Sequence, residues 1–251
     1  MKILDIITIT YESVIDVTNT LNSISEISSF SQVYIVHKCL GNNDIQLIKQ
    51  RFSDYSIIFI QQLNVGIYGA MNIGLRYIDN KYVHFLNAGD EFSGEKNFLL
   101  DVLNNANPNE ILVFDTNQVY GDDVYVRSSA LPLSKGSYAS LAHQAIMVPS
   151  QLAKRHDFDH RYPITADRKW MEVLFGEASH IYYGVPVVNF YLGGVSNFPT
   201  LKTVKIRYID GGFKSALKEC IKLSVRLLVS NRTFYAVMNL RYAVRKNEEK
   251  F

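Results

Sequence analysis

Tyr82-Val83-His84-Phe85-Leu86-Asn87-Ala88-Gly89-Asp90 reads as a short buried β-strand stopped by a turn. Gly89 tolerates positive φ, and Asn87 and Asp90 can bond nearby backbone, so the chain turns there and its polar side chains emerge at the strand's carboxyl end. In open α/β sheets that edge is where ligands bind. The preceding residues set the sheet type. Ile3 to Thr10, Val33 to Val36 and Ser56 to Ile60 are β-rich runs. Between them the apolar residues fall at helical spacing: Val14, Val17, Leu21, Ile24 and Ile27 within a helix from about Val14 to Ser28, then helices from Ile45 to Phe52 and from Ile67 to Ile78. This alternation over the first 115 residues is the pattern of βαβ units around a mostly parallel sheet.

Downstream, Leu112-Val113-Phe114 reads as another strand, followed by a loop containing Gly121-Asp122-Asp123 and an irregular stretch to about residue 142. Ala145 to Val148 and Val185 to Tyr191 complete the core as strands. With no internal repeat or low-complexity linker, the expectation is one α/β domain over residues 1–200 with a helical appendage over 201–251.

The 251 residues are 47% hydrophobic and 20% charged, which excludes a disordered or fibrous chain. The formal charge of +2 argues against a nucleic-acid binder, but it is unevenly distributed. Residues 201–251 hold 12 basic and four acidic residues against 14 and 20 in residues 1–200, so the tail is +8 and the rest −6. Lys214, Lys218, Lys222 and Arg226 recur every four residues between Phe213, Leu217, Cys220, Ile221, Leu227 and Leu228, an amphipathic helix with a basic ridge. Two readings stand: a solvated face packed on the domain, or a contact with an anionic membrane surface. Cys39 and Cys220 show no metal or disulfide spacing, and the chain reaches Asp5 before any long apolar run, so a reduced protein that is neither exported nor membrane-spanning is expected.

Four segments bear chemistry. Asn87 to Asp90 is the first, and Asn64-Val65-Gly66-Ile67-Tyr68-Gly69-Ala70-Met71-Asn72 is the second, with glycines and amides around a helix start suited to an anionic or sugar ligand. His143-Gln144 precedes a strand, and Asp167, in Thr165-Ala166-Asp167-Arg168-Lys169-Trp170, opens a helix. As chemistry, Asp90 suits a turn former or a ligand of a hard divalent cation, with Asn87 adding an amide oxygen or capping the turn. Asp167 suits a proton acceptor or a helix N-cap, with His143 as the competing base.

These segments resemble the family 2 inverting glycosyltransferases of the GT-A fold, especially bacterial enzymes building colanic acid, O-antigen and other surface polysaccharides. Gly66 to Asn72 is similar to the family's Gly-Ile-Tyr-Asp-Ala-Met-Asn, and Phe85 to Asp90 to its Phe-Leu-Asn-Ser-Gly-Asp. His143-Gln144-Ala145, Ala166-Asp167 and Gly193-Gly194-Val195-Ser196 resemble later family segments, so the likeness spans roughly residues 3–200. It implies a Rossmann-like GT-A domain that moves a sugar from a nucleotide-sugar donor to a saccharide or polyprenyl-diphosphate-linked acceptor, peripheral at the cytoplasmic face of the inner membrane. It also implies Asp167 as catalytic base and Asp90 on Mn²⁺ or Mg²⁺. Thr8, Tyr11, Lys38, Gly66, Tyr68, Asn72, Asn87, Ala88 and Gly89 would meet the donor, and His143 and Gln144 the acceptor. The chain departs from the pattern at Lys38, Asn64 and Gly69, where the family carries Asp. Loss of those carboxylates keeps a second reading open, a non-catalytic binding or scaffold protein of a polysaccharide assembly system.

Overall fold

The computed structural model describes residues 2–63, 66–193 and 198–243, with side chains through Asn239. Asn64, Gly194, Val195, Ser196 and the last eight residues lie outside that set.

The elements run β1 (Leu4–Thr10), α1 (Val14–Ser23), a 3₁₀ stretch (Ser25–Phe30), β2 (Ser31–His37), α2 (Asn42–Arg51), β3 (Ser56–Gln61), α3 (Gly66–Leu75), β4 (Tyr82–Phe85), β5 (Glu91–Phe92) and α4 (Lys96–Asn105). They continue with β6 (Ile111–Tyr120), β7 (Asp123–Arg127), α5 (Ala130–Ser134), β8 (Ile146–Pro149), α6 (Ser150–Ala153), α7 (Ala166–Glu177), β9 (His180–Tyr191), α8 (Leu201–Leu228) and α9 (Asn231–Ala243). One sheet has the order β3-β2-β1-β4-β8-β6-β9-β5, with β7 paired to β6. β1, β2, β3, β4, β6 and β9 point one way, and β5, β7 and β8 the other. This is the mostly parallel α/β sheet expected.

Each face of the sheet buries its own core. Ile7, Val36, Phe85, Val113 and Val148 meet α3 and α7 on one side, while Leu4, Ile6, Ile35, Leu112 and Met147 meet α1, α2 and α4 on the other. Strands covered on both faces must be apolar almost throughout, as β1 and β2 are.

The differences from the sequence reading are local. The helix opened by Val14 ends at Ser23 and tightens into 3₁₀ geometry through Ser25 to Phe30, where serines compete for backbone bonds. The helix α4 was not expected; Glu95 caps it, accepting from the N–H groups of Asn97 and Phe98. The stretch after Phe114 is no loop but a hairpin, β6 turning through Gly121-Asp122 into β7.

The C-terminal helices pack on the rest of the chain. Phe234 and Tyr235 of α9 are buried, Tyr235 packs on Tyr120 with ring centroids 4.7 Å apart, and Arg232 pairs with Asp123 at 2.6 Å. In α8, Gly212 has φ +68° and ψ −166°, a left-handed backbone open to glycine that divides the helix in two.

Candidate functional site

The sequence ends β4 at Phe85 and turns through Asn87 to Asp90 at the carboxyl edge of the parallel strands. Gly89 takes φ +94°, which permits the turn. The Ala88 N–H donates to the Ile9 carbonyl at 3.2 Å and the Asp90 N–H to the Asn87 carbonyl at 3.0 Å. Thr20, buried on α1, accepts from the Gly89 N–H at 3.0 Å and donates to the Asp90 carbonyl at 2.8 Å. Sequence reasoning missed Thr20; a lone polar residue beside Val17 and Leu21 on the buried face was the available signal.

Asp90 is buried, and both carboxylate oxygens have partners. Oδ1 accepts from the Tyr191 N–H at the end of β9 at 3.2 Å, and Oδ2 from the Gln144 amide at 3.3 Å. Burial pushes its carboxyl up to about 7, against the opposing pull of these two bonds. Gln144, expected on the acceptor, therefore holds Asp90. Its own carbonyl faces Nε2 of His84 at 3.0 Å, an imidazole that full burial brings down to about 4.

A second cluster centres on Asp167. The residue is not the helix cap; α7 starts at Ala166 after Thr165, and Asp167 sits in the first turn. Oδ2 lies 3.1 Å from Nδ1 of His143, and Oδ1 accepts from the Tyr68 hydroxyl at 3.0 Å and the Arg168 N–H at 2.9 Å. Burial, the largest influence, raises its carboxyl, but the bond and charge of His143 together with the Tyr68 bond outweigh it, leaving the group below the usual carboxylate range. Tyr68 is shifted strongly upward, by burial and then by the Asp167 charge. Beneath the cluster, Phe158 stacks on Trp170 at 4.5 Å and on Tyr68 at 5.7 Å, fixing the tyrosine from below. His143 joins the two halves of the site, its Nε2 lying 3.5 Å from the Asn87 amide nitrogen.

The other donor-side candidates line the same sheet edge or lie just beneath it. Thr8 is buried in β1 with its hydroxyl unpartnered. Tyr11 is exposed; Lys38 donates to its hydroxyl at 2.6 Å and lies 4.4 Å from its ring centroid. Gly66, at φ +73°, opens α3 and brings Tyr68 into the site. Asn72 is otherwise engaged: its amide donates to the Phe158 carbonyl at 2.8 Å and accepts from the Phe158 N–H at 2.7 Å. That clamp holds the Phe158 segment. A cleft of about 410 Å³ at the opposite, amino-terminal edge, lined by Asn80, Lys81, Arg155 and Glu177 among others, holds none of these residues.

No protein-family model and no curated protein sequence matches the chain. Solved structures do. S. aureus TarS 1-349 in complex with UDP superposes with TM-score 0.62 at 15% identity, over 84% of this chain and 64% of that one. The same protein in complex with UDP-GlcNAc gives 0.57 at 15%, over 83% and 65%. The mannosyltransferase PcManGT from Pyrobaculum calidifontis, in complex with GDP-Man and Mn²⁺, gives 0.59 at 12%, over 82% and 60%. The fold is GT-A. The chain spans less than two thirds of the length of these neighbours, and at such identities the likeness is one of fold.

On this GT-A frame the donor set near Asp90 is oxygen only. Among the described residues no group of three or more His, Cys, Asp or Glu could hold a metal by itself. What the turn offers is one carboxylate and the Asn87 amide oxygen, buried and without a partner. That set fits a hard cation carried largely by the oxygens of a bound diphosphate.

Proposed function

We propose that the chain is a nucleotide-sugar-dependent glycosyltransferase that works by inversion, with Asp167 as base and Asp90 facing the donor diphosphate. The observation that carries this reading is the meeting of two carboxylate clusters, Asp90–Gln144 and Asp167–His143–Tyr68, at the carboxyl edge of a GT-A sheet. A divalent cation, Mn²⁺ or Mg²⁺, held by Asp90 and Asn87 would neutralise the departing diphosphate.

The chain's own groups account for the rest. Asp167, held below the usual range, is ionised at neutral pH and open to take the proton of an attacking acceptor hydroxyl at a carboxylate oxygen. His143 and Tyr68 fix the direction of those oxygens. Tyr11 and Lys38 flank the donor side, where the lysine replaces a carboxylate with a cation. The acceptor in this reading is a saccharide or polyprenyl-diphosphate-linked sugar of surface-polysaccharide synthesis, used at the cytoplasmic face of a membrane.

The test is thermal stabilisation by a panel of nucleoside diphosphates with and without Mn²⁺, joined to Asp167→Asn kinetics. A cation-dependent shift with one nucleotide is expected, together with an Asp167→Asn variant that binds it normally and turns over at least about a hundredfold more slowly. No shift with any nucleotide would favour the non-catalytic scaffold.

A further inference from the structure

The basic ridge expected on the tail is only half available. Lys222 pairs with the buried Glu219 at 3.2 Å, and Arg226 donates to the Pro199 carbonyl at 2.7 Å with its guanidinium 3.7 Å from the Phe198 ring centroid. Lys214 and Lys218 remain exposed. The apolar side of the helix is what faces out. Beyond Gly212, α8 turns Ala216 and Glu219 toward the domain and leaves Phe213, Leu217, Ile221 and Leu228 at 71%, 49%, 57% and 83% exposure. At 3.6 residues per turn these four, with the exposed Cys220 and Leu227, share an arc of about 120°, and Lys214 and Lys218 run along one flank.

A surface helix ordinarily buries its apolar stripe on the core. Here Ala216, Glu219 and the half-buried Leu223 face the domain, and the stripe from Phe213 to Leu228 is left for another phase. Its charge frame selects which. The only acids in residues 201–239 are Asp210 and Glu219; Glu219 is buried, and Asp210 bonds Ile164 and Thr165. Lys202 and Lys205 add exposed cations on the preceding segment. A second copy on the same stripe would set lysine against lysine, whereas an anionic bilayer satisfies the stripe and its flank together. No described helix is long and apolar enough to cross a membrane.

We infer that residues 213–228 of α8 form an in-plane docking surface for an anionic lipid bilayer, entering by Phe213, Leu217, Ile221 and Leu228 and steered by Lys214 and Lys218. The inference deepens the proposed function, resting on it only for placing the reaction at a membrane.

The test uses the full chain and vesicles that contain neither donor nor acceptor, so it can fail while nucleotide stabilisation succeeds, and the reverse. Trp170 is buried, so Phe213→Trp supplies a reporter on the stripe. Expected are a blue-shifted emission and co-sedimentation with equimolar phosphatidylglycerol and phosphatidylcholine vesicles. Pure phosphatidylcholine should bind much more weakly, and Lys214→Gln and Lys218→Gln should each lower affinity about fivefold. Leu217→Ser with Ile221→Ser should lower it at least about tenfold at an unchanged melting temperature, since both residues are exposed. Absence of binding to either vesicle overturns the proposal. So does equal binding to both, and so does a dimer that Leu217→Ser disperses in a chain that ignores vesicles.

Discussion

Asp90 makes a test of its own because burial alone accounts for most of its shift. Its folded pKa stands near 7 against an ordinary 3.8, so the native state holds a proton that the unfolded chain releases. The associated stability is full below the ordinary value and is lost as pH rises through about 7. Asparagine removes this dependence: its oxygen still accepts from Tyr191, and its NH₂ meets a Gln144 amide free to turn its oxygen inward. In metal-free protein, Asp90→Asn should therefore match wild type near pH 4 and exceed it near pH 8 by on the order of 3 kcal/mol, read from urea unfolding across pH. Asp167 slopes the other way in both proteins, contributing stability that is lost as pH falls through its depressed pKa, and it cancels in the difference. Asp90, Asp167 and His143 were legible in the sequence because turn and helix-start chemistry surrounds them. Thr20 was not, nor was the bond from Gln144 to Asp90, since both depend on partners 70 and 54 positions apart along the chain.

Helix α8 reaches the site through Asp210, whose Oδ2 accepts from the Ile164 N–H at 3.2 Å and the Thr165 hydroxyl at 3.0 Å. Those two residues lead directly into Asp167, so an element of the C-terminal appendage fixes the entry to α7. Asp210→Ala leaves a donor pair unmatched and should cost about 1–3 kcal/mol of stability while lowering kcat with the donor KM unchanged. Asp210→Asn, which retains an acceptor oxygen, should recover most of both; equal loss in the two variants would show that the bond is unimportant. Periodicity and β-branched runs revealed β1 to β4 and α1 to α3. Helix α4, ten residues like α1 to α3, went unread despite its stripe of Leu99, Val102 and Leu103, and the β6–β7 hairpin was read as a strand only to Phe114 because its polar residues hide the alternation beyond.

Across the whole molecule, the apolar residues of the C-terminal region divide into those that hold it in place and those that face outward. Phe234 is 1% exposed, and Phe234→Ala should cost about 3–5 kcal/mol, whereas Leu217→Ser should stay within about 0.5 kcal/mol, both read by denaturant unfolding. The opposite ranking would mean that α8, not α9, anchors the tail. Between these roles stands Gly212, where the backbone leaves helical geometry at φ +68°. Upstream of it, Asp210 bonds Ile164 and Thr165 just ahead of α7; downstream, Ala216 and Glu219 face the domain while Phe213, Leu217, Ile221 and Leu228 face outward. The glycine therefore makes the two halves of one helix modular: the outward face can change its composition to suit a different surface, without the Ile164 and Thr165 lead into α7 having to be retuned.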